Sequence, residues 1–149
     1  MSAFLWGILG VVAGACIAVQ APINTQLGRA LGMPVAAAMV SFAAGSVALA
    51  AVVLVFSKAQ GLIPDWRAPD PWLYFVGGCL GSVYVTAAIL LTPRIGAAAV
   101  MAFSVAGQLT AGIIIDRIGF MGVAVREISA GRVMGALLLC AGVVLIRIY

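Results

Sequence analysis

The fold is decided by residues 4–27, which read FLWGILGVVAGACIAVQAPINTQL and contain no Lys, Arg, Asp or Glu. A helix of about 20 apolar residues crosses the ~30 Å hydrocarbon core of a bilayer. The run has no strand-like alternation, and a helix pairs its backbone groups within itself, so it predicts a transmembrane helix. It lacks a basic leading segment and exceeds the apolar part of a secretory signal, so we expect it to stay uncleaved.

Four further runs of spanning length follow the first one. The predicted helices cover approximately residues 4–27, 35–56, 72–92, 96–115 and 129–148. Short connections, Arg29–Pro34 and Pro93–Ile95, join the first helix to the second and the third to the fourth. The sequence therefore predicts an all-α integral membrane protein, a bundle of five transmembrane helices forming a single domain over residues 1–149.

The composition agrees with a membrane protein and excludes several other classes. The 149 residues are 65% hydrophobic and only 8% charged, with a mean hydropathy of +1.25, whereas about a quarter of the residues in a soluble domain are charged. This excludes a soluble globular domain, a disordered chain and a nucleic-acid-binding module. Histidine is absent, there are four carboxylates, and the three cysteines are isolated. We therefore expect no enzyme activity, no metal site and no cofactor.

Basic residues are divided almost evenly between the two sides of the predicted bundle. With five spans, one side carries Lys58, Arg67, Arg117, Arg126 and Arg132, and the other carries Arg29, Arg94 and Arg147. The positive-inside rule favours a cytoplasmic N-terminus by only two charges. Two interpretations follow: insertion in both orientations, giving an antiparallel dimer, or a single, weakly specified orientation.

Small residues recur at helical spacing in four of the predicted helices. In lipid, helices associate through close packing of such residues rather than through a hydrophobic driving force. The glycines we expect at helix-packing or dimer contacts are Gly10, Gly14, Gly77, Gly81, Gly135 and Gly142. Contact between subunits and contact within one subunit are both compatible with this pattern.

Polar side chains within the spans are candidate functional residues, because each needs a partner inside the membrane. Gln20 and Asn24 lie four residues apart on the first helix, and Pro22 between them is expected to break that helix. The substrate-binding candidates are Gln20, Asn24, Tyr84 and Gln108, with Ser41 and Ser104 as secondary contacts. The alternative is that they only form hydrogen bonds between helices.

The centres of the predicted spans contain no Asp, Glu, His or Lys. Asp116, at the end of the fourth helix, is the nearest carboxylate, and we expect its neighbour Arg117 to pair with it. Proton coupling through a buried carboxylate is therefore not supported, and an uncharged polar cavity suits neutral or zwitterionic solutes.

Several segments resemble the bacterial YdcZ-type family of the drug/metabolite transporter superfamily. They are PINTQLG (22–28), SFAAG (41–45), PW (71–72), GGCLG (77–81), PRIGAA (93–98), GQL (107–109) and IIDRIG (114–119). The resemblance implies a five-helix inner-membrane protein equivalent to half of a ten-helix exporter with inverted repeats. It also implies pairing in opposite orientations, as a homodimer or with a sister subunit. The related small multidrug resistance proteins have a first-helix carboxylate that this chain lacks, so proton-driven drug efflux is not implied.

We therefore expect a secondary transporter that exports a small metabolite by alternating access of a dimer in the bilayer. One alternative is a flippase for a lipid-linked substrate, which would need a lateral opening to lipid. Another is a non-transporting accessory subunit, in which the polar residues serve packing alone. A channel is less favoured, since no ring of charges or carbonyl-rich filter sequence is present.

The near balance of basic charge predicts that both termini are found on both sides of the membrane. Accessibility labelling of tagged termini in intact cells measures this directly, and we expect the two orientations in similar amounts. A single orientation would contradict dual insertion and would favour either a sister subunit of opposite orientation or the accessory-subunit alternative.

Overall fold

The computed structural model describes residues 3–149. They form five long α-helices, which we number in chain order, and a short 3-10 turn at Phe120–Gly122. The helices are α1 (Ala3–Ala30), α2 (Pro34–Gln60), α3 (Leu73–Ile95), α4 (Ala97–Ile118) and α5 (Ala130–Ile148). All five are long and apolar enough to cross a membrane. The predicted all-α fold with five transmembrane helices is confirmed.

The helices extend one to four residues beyond most of the predicted ends, because a helix continues past its uncharged segment until a residue stops it. Pro34 begins α2, where its missing N–H costs nothing. Gly61 ends the same helix in the left-handed conformation. The prediction that Pro93–Ile95 forms a connection is wrong: these residues are the last turn of α3, and Gly96 alone separates α3 from α4.

The chain divides into two compact units. The first extends to Pro93 and contains α1, α2 and α3, and the second, Arg94–Tyr149, contains α4 and α5. The two units are described separately below.

In the first unit, α1 packs closely on α2 and α3 at Gly28. A Cβ atom placed there would lie 3.3 Å from both the Ile89 side chain and the Pro34 Cα. The adjoining core is small and apolar, with Ala37, Val85 and Ile89 buried in it. Glycine and alanine thus allow the backbones to approach closely, as expected for helices packed in lipid.

Both prolines inside the helices of the first unit are accommodated without a break. α1 continues through Pro22 and α3 through Pro93, so the helix break predicted at Pro22 is not formed. Each proline removes one backbone N–H, and the carbonyl four residues earlier loses its helical donor. For Pro93 that carbonyl belongs to Ile89, and the buried Thr25 hydroxyl of α1 approaches it at 3.4 Å while also donating to Ala21 at 2.8 Å. The single hydroxyl proton is shared unequally, with the shorter bond to Ala21, and the longer contact places a polar group of a neighbouring helix beside the freed carbonyl.

In the second unit, the chain turns back sharply after α4. Gly119 has a φ of +65°, and a Cβ there would lie 2.7 Å from the Val125 side chain, so glycine is required for conformation and for space. The Arg126 N–H then donates to the Asp116 carbonyl at 2.8 Å. The Ser129 side chain caps α5 by accepting from the Arg132 N–H.

The predicted packing glycines fall into two groups. Gly81 packs within the first unit, where a Cβ would lie 3.0 Å from the Phe42 ring. For the other five, no heavy atom beyond the glycine's own stretch of helix lies within 4 Å of the Cβ position: Gly10, Gly14, Gly77, Gly135 and Gly142. Their contact with a second subunit stays a prediction.

Large apolar side chains cover the outside of the helices along their whole length. On α3, for example, Phe75, Leu80 and Val83 are each about two-thirds exposed or more. Small soluble proteins rarely expose such a continuous apolar surface to water, whereas the surface of a membrane protein is in contact with lipid tails. The exposed faces are therefore suited to contact with lipid and with other transmembrane helices.

If the Thr25 hydroxyl compensates for Pro93, the two residues should be energetically coupled. We expect Thr25→Val to lower the free energy of unfolding by about 1 kcal/mol. The cost should shrink when Pro93→Ala restores the N–H that Ile89 lacks. Unfolding of all four proteins of this double-mutant cycle in mixed micelles measures the coupling.

Thr110→Val is the matched control, because the Thr110 hydroxyl donates only within its own helix, to Ala106. Its cost should not depend on Pro93. An equal cost of Thr25→Val in both backgrounds would contradict the proposed compensation.

Candidate functional site

Three of the predicted substrate-binding residues meet in the first unit. The Gln20 and Asn24 amides of α1 both donate to the Ser41 hydroxyl oxygen of α2, at 3.3 and 3.1 Å. Asn24 is buried, Ser41 is half-buried and Gln20 is exposed. The two amides occupy the two acceptor positions of the hydroxyl oxygen, so the Ser41 proton is left to donate elsewhere.

This cluster lies within the membrane-spanning part of the helices. Asn24 is about 9 Å along the axis from the end of α1 and Gln20 about 15 Å, at 1.5 Å per residue. Ser41 lies about 10 Å from the start of α2, which explains why it faces Asn24. Water is scarce at such depth, so exposed amide groups there require polar partners.

Tyr84, near the midpoint of α3, completes the group in the first unit. It borders a narrow cleft of about 10 Å³ with Gln20 and Asn24, roughly the space of one water molecule. Its hydroxyl is the one buried side-chain polar atom among the described residues that has no hydrogen-bond partner. A buried hydroxyl without a partner costs free energy, and such groups in native proteins often mark a functional site.

A larger cavity of about 240 Å³ opens on the other side of Gln20, along α2. Gln20, Ser41 and Ser46 provide its polar lining, and the apolar lining comes from Phe42 and Leu49. No charged side chain lines this cavity or the Tyr84 cleft. The first unit thus offers hydrogen-bond donors and acceptors without charge, as the sequence predicts.

Gln108 lines a separate cavity in the second unit. It lies near the midpoint of α4, at one end of a cavity of about 470 Å³ between α4 and α5. Ser104 is half-buried one turn earlier and does not line this cavity. The structure therefore places the predicted site residues in two groups, one in each unit.

An ion pair lies at the other end of the second-unit cavity. Asp116 of α4 and Arg132 of α5 are joined at 3.1 Å, and each side chain is about 30% exposed. The prediction that Arg117 pairs with Asp116 is wrong. Residues adjacent along a helix point in different directions, whereas the reversal after α4 brings the start of α5 next to Asp116.

Sequence reasoning missed two contributors to these groups. Thr25 directly follows Asn24 on α1, and its contact with the Ile89 carbonyl appears only in the folded structure. Arg132 looked like an orientation charge, although its position at the start of the helix after Asp116 was a usable signal. Among the described residues, no three side chains of His, Cys, Asp or Glu cluster in a way that would hold a metal ion.

If the Tyr84 hydroxyl serves a substrate rather than the fold, its removal should separate function from stability. We expect Tyr84→Phe to leave the free energy of unfolding unchanged or raise it by up to ~1 kcal/mol, because no hydrogen bond is lost. Export by the same variant should fall. Thermal unfolding in detergent and an export assay measure the two effects.

Tyr74→Phe is the matched control, since the Tyr74 hydroxyl donates to the Trp66 carbonyl at 2.7 Å. This variant should be destabilised or unchanged, with normal export per folded molecule. Destabilisation by Tyr84→Phe would contradict an unpartnered hydroxyl.

The chain matches one family of known proteins over nearly its whole length. Residues 5–145 match the model of the family described as "Putative inner membrane exporter, YdcZ". No curated protein and no solved structure matches the chain significantly. The matched region includes nearly all of the five apolar helices, in agreement with a multi-pass membrane protein, and the family description places such proteins in the inner membrane. The chain belongs to the YdcZ family of inner-membrane exporters.

Proposed function

We propose that this protein is a secondary transporter that exports a small metabolite by alternating access of an antiparallel dimer. The reaction is transport alone, with no covalent step. The substrate-contacting side chains are Gln20, Asn24, Tyr84 and Gln108, with Ser41 and Ser104 as secondary contacts.

The observation that carries the proposal is the group formed by Gln20, Asn24, Ser41 and Tyr84 in the first unit. Interhelical hydrogen bonds in membranes contribute only about 0.6 kcal/mol on average. Helix packing does not need two amides on one serine together with a buried tyrosine hydroxyl that has no hydrogen-bond partner. A polar solute passing through the membrane requires such donors and acceptors to replace its water.

The uncharged character of this group limits the substrate. Hydrogen bonds from amides and hydroxyls suit a neutral or zwitterionic solute. They do not compensate the desolvation of a multivalent ion, which needs opposite charge nearby.

Two features support the dimer. The basic residues favour one orientation by only two charges, so one chain has little to fix its direction of insertion. In addition, Gly10, Gly14 and Gly77 leave space at a Cβ position that no described atom occupies. Close approach of a second copy at such positions is the packing typical of transmembrane helices. A heterodimer with a sister subunit uses the same surfaces.

The accessory-subunit alternative makes a different prediction for the same residues. If Gln20, Asn24 and Ser41 only hold α1 to α2, substitutions there lower stability and nothing else. The flippase alternative differs in its substrate, which would be drawn from the lipid rather than from water.

The transport proposal predicts that Asn24→Ala and Gln108→Ala abolish export while membrane insertion and dimer formation stay normal. The measurement compares small molecules in the medium of cells producing wild type, each variant or no protein. Compounds that rise with wild type should return to the level of cells without the protein. Asn24→Ala should change the free energy of unfolding by only about 0.6 kcal/mol, the value of the one interhelical hydrogen bond that it removes.

Gln26→Ala is the matched control, because Gln26 is an exposed amide on the same helix as Asn24 and does not line the cavities described above. It should export like wild type. Normal export by both Asn24→Ala and Gln108→Ala would contradict the site. If the wild-type protein raises the level of no compound in the medium, export itself is contradicted.

A further inference from the structure

The cavity of the second unit differs from the first-unit group because it contains charge. Along α4 it extends from Gln108 to Asp116, about 12 Å at 1.5 Å per residue. It therefore connects the middle of the helix with its end. Its volume of about 470 Å³ lies within the range of sites for small ligands.

Glycine keeps this cavity open. Gly112 of α4 and Gly135 of α5 both line it, and neither has a heavy atom within 4 Å of its Cβ position. Any larger side chain at these two positions would point into free space. The two absent side chains thus leave part of this volume open.

The ion pair of Asp116 and Arg132 forms the charged end of the cavity. Both side chains line it, and each keeps about 30% of its surface accessible. The contact joins a single guanidinium nitrogen, Nη1, to Oδ2. The remaining donors of the guanidinium and the second carboxylate oxygen stay available for further partners.

The pair contains one negative and one positive group, and this indicates which class of ligand fits the cavity. Because the pair is neutral, a ligand with one charge would give the occupied site a net charge, which is costly near the membrane. A ligand with an ammonium and an anionic group satisfies both members of the pair, and the net charge of the site stays zero. We propose that this cavity binds a zwitterion, with its ammonium on Asp116, its anionic group on Arg132 and its body towards Gln108. This inference rests on the proposed export function and names the class of substrate.

The first test is binding to the purified full-length protein in detergent, measured by calorimetry. The probes are glycine and L-leucine, with L-leucinamide as the cation alone and N-acetyl-L-leucine as the anion alone. We expect at least one of the two zwitterions to bind at least tenfold more tightly than either singly charged analogue. The cavity has room for both amino acids, so no binding of either would overturn the inference.

Cavity-filling variants test whether the zwitterion binds in this cavity, and they leave the ion pair unchanged. Gly112→Leu and Gly135→Leu should lower zwitterion affinity at least tenfold, and neither should destabilise the protein, because leucine favours helix more than glycine. Gly107→Leu is the matched control, since Gly107 of α4 also has free space at its Cβ but does not line the cavity. Equal affinity of all three variants would overturn the placement.

Charge variants test the role of the pair. Asp116→Asn should remove the preference for L-leucine over N-acetyl-L-leucine, and Arg132→Gln should remove the preference over L-leucinamide. Unchanged preferences in both variants would overturn the assignment of the two charges.

A lipid headgroup with an ammonium and a phosphate has the same chemistry as a free zwitterion. Nanodiscs of phosphatidylglycerol, with or without phosphatidylethanolamine, distinguish the sources. Weaker binding of L-leucine in the nanodiscs that contain phosphatidylethanolamine assigns the site to a headgroup. Binding of L-leucine that phosphatidylethanolamine does not change assigns it to a soluble solute.

Binding and export can fail independently. Binding needs no flux, so calorimetry on the purified protein tests the inference without an export assay. Binding without any export would contradict only the proposed function. Export with no zwitterion binding would contradict only this inference.

Discussion

Inside the hydrocarbon core of a bilayer, water does not complete a hydrogen bond, so the chain must satisfy its own polar groups. This constraint accounts for the five uninterrupted helices and for the polar side chain that faces the carbonyl freed by Pro93. Pro93 leaves the Ile89 carbonyl without its helical donor, and Thr25 approaches that carbonyl from another helix. The same requirement joins Gln20 and Asn24 to Ser41. Against this background, the Tyr84 hydroxyl is informative because it is buried and has no partner.

Small side chains have two different roles in this protein. At Gly28 and Gly81 they allow helices of the first unit to touch, so a larger residue would push the helices apart. At Gly112 and Gly135 they leave a cavity beside an ion pair. Glycine spacing alone does not separate these roles, because both produce rows of small residues on a helix. The two roles differ in whether another helix places atoms opposite the glycine, and tertiary packing decides this.

Charge is rare in this chain, and each charged side chain therefore carries more information than in a soluble protein. Most of the basic residues lie at helix ends or in loops, where they bear on orientation. Asp116 and Arg132 are different because they pair across two helices and face a cavity. The polar group of the first unit and this pair provide complementary chemistry, one uncharged and one charged.

The sequence by itself determined the five helices, their approximate ends and the family, because apolar runs of spanning length have few alternative structures in a membrane. It also indicated Gln20, Asn24 and Ser41, since an amide in an apolar run must find a partner. It did not reveal that α1 continues through Pro22, or that Asp116 pairs with Arg132 rather than with Arg117. Nor did it show that Gln108 lines a cavity of its own. These outcomes depend on which side chains from distant positions come within about 3 Å of one another, and only the tertiary structure decides such distances.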